Sequence, residues 1–98
     1  MQEGTSVPRP VYIADIRISD AVAAKIRTKH NVTPEEVRET FILREDIQAG
    51  WEDHHVHGRR VVAFGHTGDG RPILAALYPV DPPSEGIWNL GTARSPRA

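Results

Sequence analysis

The sequence predicts an α+β domain in the order β-α-α-β-β-β, with two helices packed against one face of an antiparallel sheet of about four strands. Three observations carry that prediction. Thr33-Pro34-Glu35-Glu36 reads as a helix-starting capping box, the apolar periodicity changes from helical to strand-like near Arg59, and Gly68-Asp69-Gly70 separates two apolar runs as a hairpin turn.

In chain order, residues 1–10 are polar and carry two prolines, which suits a flexible leader. Residues 11–94 form the single domain, and 95–98 a short tail. Val11 to Ile18 alternates in part, as a strand does. Ser19 is a helix cap, with Asp20 in the first turn at the positive end of the helix dipole. Val22, Ile26 and His30 follow as a narrow stripe. After the two-residue corner Asn31–Val32, Thr33 caps a second helix. Pro34 takes its first position, and Val32 and Val37 are placed for a hydrophobic staple. Residues 44–58 read as polar and irregular apart from Ile47 and Trp51. Arg60–His66 and Pro72–Tyr78 are the hairpin strands, Pro79–Gly86 is a proline-rich loop, and Ile87–Ala93 is the last strand. Val22, Ile26, Val37, Phe41, Val62, Phe64, Leu74 and Leu90 are the expected core.

Composition narrows the function classes. The chain has 98 residues, 39% apolar and 26% charged, as expected of one soluble domain. It has no cysteine, which excludes disulfides, thiol nucleophiles and cysteine-based metal sites. The longest apolar run, Ile73 to Tyr78, is too short to span a membrane. No basic segment precedes an apolar one at the N-terminus, so a cytoplasmic location is expected. The net charge of −1 is unevenly spread: residues 1–57 sum to −3 and residues 58–98 to +2. Ten of the twelve basic residues are arginine, the side chain suited to bidentate phosphate contacts.

Two groups of residues have chemical potential. In Asp53-His54-His55-Val56-His57, an extended backbone would set His55 and His57 on one face, as two ligands of a metal. A further ligand at fixed spacing is missing, and a solvated loop accounts for the cluster equally simply; no metal site and no cofactor are expected. Arg59, Arg60, Arg71 and Arg94 form the second group. Guanidinium groups gathered on one sheet can hold a phosphodiester and stabilise charge that develops in phosphoryl transfer. His66, before the glycine turn, is a candidate acid or base. Trp51 and Trp88 read as core or interface anchors.

The order of motifs resembles that of BrnT-type toxins. Lys29-His30-Asn31-Val32-Thr33-Pro34-Glu35-Glu36-Val37 through Phe41 is similar to the family's K-H-G-V-S-x-E-E-A…F stretch. Arg60-Val61-Val62-Ala63-Phe64-Gly65-His66-Thr67, followed by Gly70-Arg71-Pro72-Ile73-Leu74, is similar to its hairpin, and Thr92-Ala93-Arg94 to its S-A-R ending. The resemblance covers roughly residues 18–94. It implies a RelE-like fold and the toxin of a type II toxin–antitoxin system: a metal-independent endoribonuclease, with RNA as substrate and a cognate antitoxin as protein partner. Carried over by motif, Arg60, Arg71 and Arg94 are its catalytic candidates. His66 and His55 are candidates within reach of the same anion, with Asp53 and His54 in the stretch before the hairpin. A non-catalytic interaction module on the same fold, and a His-based metal-binding protein, are the rival readings.

Overall fold

The computed structural model describes residues 11–96, so the expected leader and the last two residues of the expected tail lie outside the described residues. The elements are β1 (Asp15–Arg17), α1 (Asp20–His30), α2 (Pro34–Phe41), β2 (Gln48–His54), β3 (Gly58–His66), β4 (Pro72–Pro79) and β5 (Ile87–Arg94). They build one five-stranded sheet in the order β1-β5-β4-β3-β2. Neighbours are antiparallel except β1, which pairs parallel to β5 from Asp15↔Ile87 to Arg17↔Asn89. The α+β class therefore holds, while the sheet is mixed and has five strands rather than about four antiparallel ones. Among the described residues no helix is long and apolar enough to cross a membrane.

Both helices begin where their caps predict. Ser19 Oγ accepts the Val22 N–H at 3.2 Å. At the other end of α1, Asn31 adopts the left-handed conformation at φ 54°. Its N–H and that of Val32 return to the carbonyls of Arg27 and Ile26, closing the helix as glycine commonly does. In α2 the capping box is complete: Thr33 Oγ1 accepts from Glu36 N at 3.1 Å, and Thr33 N donates to Glu36 Oε1 at 3.0 Å. Val32 and Val37 are both fully buried.

The sequence reading missed β2. Residues 44–58 were expected to be irregular, yet Gln48–His54 pairs with β3 in unbroken register. The reason is exposure: six of its seven residues are exposed, so no apolar alternation was required of them. The first strand, expected over Val11–Ile18, is only Asp15–Arg17.

The facing of the central strands also needs correction. Ile26, Val37, Phe41 and Leu90 are buried as expected, and Val22 packs half-buried against the core. Val62, Phe64 and Leu74 instead lie half-buried on the helix-free face. Val61, Ala63, Ile73, Ala75 and Leu77 take the core positions beneath the helices. Both strands are apolar on both faces, so periodicity alone does not say which set faces the helices.

Gly65 marks the helix side. A Cβ there would stand 2.9 Å from Cγ2 of both Thr40 and Ile47. Thr40 is fully buried and its hydroxyl donates to the Glu36 carbonyl at 2.6 Å, so it has no room to turn away. Gly65→Val is expected to lower stability by roughly 2–3 kcal/mol through overpacking, read from the urea midpoint. An unchanged midpoint would show that α2 does not approach β3 this closely.

Candidate active site on the open sheet face

With both helices on one side, the opposite face of the sheet is free of other elements among the described residues. Alternation along β3 and β4 brings Arg60, Val62, Phe64 and His66 onto it beside Leu74, Ala76 and Tyr78. Thr92 and Arg94 of β5 join them, opposite Ala76 and Leu74. The floor is thus apolar and half-buried, with basic groups around its margin.

Arg60 is the most constrained of these groups. It faces Glu52 across the β2–β3 ladder, with Nε and Nη2 each 2.8 Å from Glu52 Oε1. Its Nη1 donates to Tyr78 Oη at 3.2 Å. Tyr78, then Glu52, hold the guanidinium pKa above its ordinary value. Arg60 is therefore a fixed cation whose charge is partly balanced within the sheet.

Arg94 ends β5, is exposed, and forms no ion pair among the described residues. His66 ends β3, exposed, with its ring edge-on to Phe64 at 5.2 Å. His66 lies opposite Pro72 and Arg94 opposite Leu74, with β4 between them. Strand geometry then sets their Cα atoms about 12 Å apart, within reach of one another's ligands through a long arginine. Arg60 is at the other end of β3, about 16 Å from Arg94 by the same geometry. The face is a basic margin rather than a single phosphate clamp.

Arg71 does not join it. The expected convergence of Arg60, Arg71 and Arg94 fails at this residue, because Arg71 turns to the helix side. Its Nη1 contacts Glu36 Oε1 and Oε2 at 3.0 and 2.8 Å, the same carboxylate that completes the capping box. Glu39, one position further on in the same stretch of α2, accepts the Gly68 N–H. Two carboxylates three residues apart thus bind the β3–β4 turn to the helix, a spacing visible in the sequence but read there only as capping.

Partial burial disfavours the charged form of Glu36. The Thr33 N–H and the hydrogen bond and charge of Arg71 outweigh it and hold the carboxyl below its ordinary value. A lowered carboxyl stabilises the fold above its unfolded pKa and loses that contribution as pH falls through the folded one. Glu36→Gln is expected to cost about 1–2 kcal/mol at pH 7. The gap from the parent chain should close as pH drops below about 4, where the parent's carboxyl protonates. A gap independent of pH would remove the ion pair from the account.

His55 lies in the β2–β3 turn, stacked on His54 at 4.8 Å, while His54 also sits 4.7 Å from His57. His54 Nδ1 accepts the N–H groups of Val56 and His57, both at 3.1 Å, so this nitrogen is committed to shaping the turn. Among the described residues no group of three or more histidine, aspartate and glutamate side chains is arranged to hold a metal ion.

No family model, curated protein or solved structure matches this chain. Geometry and chemistry therefore carry the functional argument. One further feature escaped the sequence reading: a cavity of about 450 Å³ on the helix side, lined by Tyr12, Trp51, Trp88, Pro83 and Ile87 among others. Trp88 is buried and donates to the Tyr12 carbonyl at 2.9 Å, which makes it an anchor as expected. Trp51 remains 44% exposed, with Arg59 lying 4.8 Å over its ring.

Proposed function

We propose that this chain is a RelE-like toxin of a type II toxin–antitoxin system, a cytoplasmic endoribonuclease that works on the helix-free face of its sheet. The observation that carries the reading is the exposed Arg94 and His66 flanking that face, with Arg60 fixed at its far end. The motif resemblance across residues 18–94 supports it.

In the proposed reaction the ribose 2′-oxygen attacks the adjacent phosphorus, the bond to the 5′-oxygen breaks, and the products are a 2′,3′-cyclic phosphate and a 5′-hydroxyl. Arg94 stabilises the extra negative charge on the phosphoryl oxygens in the transition state. His66 moves the proton, as base toward the 2′-hydroxyl or acid toward the leaving oxygen. Arg60 holds a neighbouring phosphate of the RNA. Arg71, paired with Glu36, orders the turn that precedes β4 and has no direct part. His55 at the hairpin tip belongs to the RNA path rather than to the reacting phosphate. The reaction requires no metal, and the antitoxin would block it by covering the apolar floor.

The rival is a non-catalytic interaction module on the same face. The half-buried Val62, Phe64 and Leu74 favour it, because an apolar floor suits a protein partner. Induced expression should arrest growth, and co-expression of a small neighbouring-frame partner should restore it. Purified protein should cleave RNA in EDTA and leave 2′,3′-cyclic phosphate ends. Normal growth together with intact RNA would leave the interaction module in its place.

A further inference from the structure

β2 has one bare edge. It ends the sheet order, pairs with β3 on one side, and has no backbone partner on the other among the described residues. Proteins usually blunt such an edge with lysine, proline or a bulge, because the unpaired N–H and C=O groups recruit another strand. Gln48-Ala49-Gly50-Trp51-Glu52-Asp53-His54 has no lysine or proline, and its register with β3 runs without a shift.

The charges along this edge run from one sign to the other. Exposed Glu45 and Asp46 precede the strand, while the hairpin end carries His54, His55, His57 and Arg59. Asp46 is held by Arg44, whereas Glu45 forms no ion pair among the described residues. Glu52 and Asp53 face Arg60 and Arg59 of β3, and so are balanced within the chain. Parallel contact between two such edges would set Glu45 beside Glu45 and imidazole beside imidazole. Antiparallel contact sets the acidic end of one copy beside the imidazole and guanidinium end of the other.

We propose that β2 pairs antiparallel with β2 of a second copy of this chain, about a two-fold axis at Trp51. In that register Glu52 falls opposite Gly50 and Asp53 opposite Ala49, so no like charges meet. The two exposed Trp51 side chains meet at the axis, and Glu45 lies beside the partner copy's His57. The two five-stranded sheets become one continuous sheet of ten strands. Because the axis is normal to the sheet, both helix layers stay on one side and both open faces on the other. The contact is isologous, so each pair occurs twice. The inference stands apart from the ribonuclease reading.

Sedimentation equilibrium of the purified full chain over a range of concentrations tests it. A reversible monomer–dimer equilibrium is expected. Glu45→Lys should weaken it by about tenfold, because a contact worth a fraction of a kcal/mol is reversed twice per dimer. His57→Glu added to Glu45→Lys should restore most of the loss, which a merely unfolded variant would not do. Trp51→Lys should leave a monomer whose unfolding is still cooperative. A parent chain that remains monomeric at hundreds of micromolar overturns the proposal. So does a dimer whose dissociation constant is unmoved by both single substitutions.

Discussion

Phe41→Ala is expected to cost about 3–5 kcal/mol, a large part of the roughly 5–10 kcal/mol available to a chain of this size. Phe41 is the largest side chain that is fully buried. It closes α2, and α2 packs on β3 and β4. Removing the ring takes away its transfer free energy and leaves a void that the neighbours cannot readily fill. On one side the capping box and the Arg71–Glu36 pair hold the helix; on the other, β3 and β4 are fixed by their ladder. The urea midpoint should fall with little change in slope. Phe41→Leu, which keeps most of the volume, should cost well under half as much. A loss below about 1 kcal/mol for the alanine variant would mean that the helix is not seated on the sheet in this way.

The positions that could be read in advance are those where local chemistry has one outcome. Thr33 with Glu36, Ser19 at its helix start, and Gly68-Asp69-Gly70 between apolar runs each specify a cap or turn from a few neighbouring residues. Where the result depends on distant partners, the residues themselves were silent. β1 joins β5 through a parallel pairing across seventy-odd positions, and nothing in Asp15–Arg17 encodes that choice. β2 shows no alternation because it buries neither face. β3 and β4 are apolar on both faces, and only the crowding of α2 at Gly65 decides which side is core.

The same division runs through the candidate site. Arg60, His66 and Arg94 could be grouped because strand parity follows from their positions once the strands are known. Arg71 sits at the end of a turn, outside that parity. Its direction is set by Glu36, thirty-five residues away in sequence, whose carboxylate serves helix cap and turn together. An arginine that matches a motif can therefore be structural, and its partner is the signal that says so.

Arg94→Ala is expected to reduce the rate of RNA cleavage by about 10²–10³, or roughly 3–4 kcal/mol of transition-state stabilisation. The guanidinium is exposed and forms no ion pair among the described residues, so its removal leaves no buried charge behind. Stability should change by no more than about 0.5 kcal/mol, as at other exposed positions. Arg71→Ala should do the reverse. It strands the Glu36 carboxylate against α2 and weakens the fold, while the rate per folded molecule changes little. Single-turnover cleavage and urea unfolding of both variants separate the two effects. Arg94→Lys sharpens the test: it keeps the charge but loses the planar fork, so it should recover only part of the rate. If Arg94→Ala cleaves at the parent rate, the charge that develops at phosphorus is stabilised elsewhere, and the open face is left to a protein partner alone.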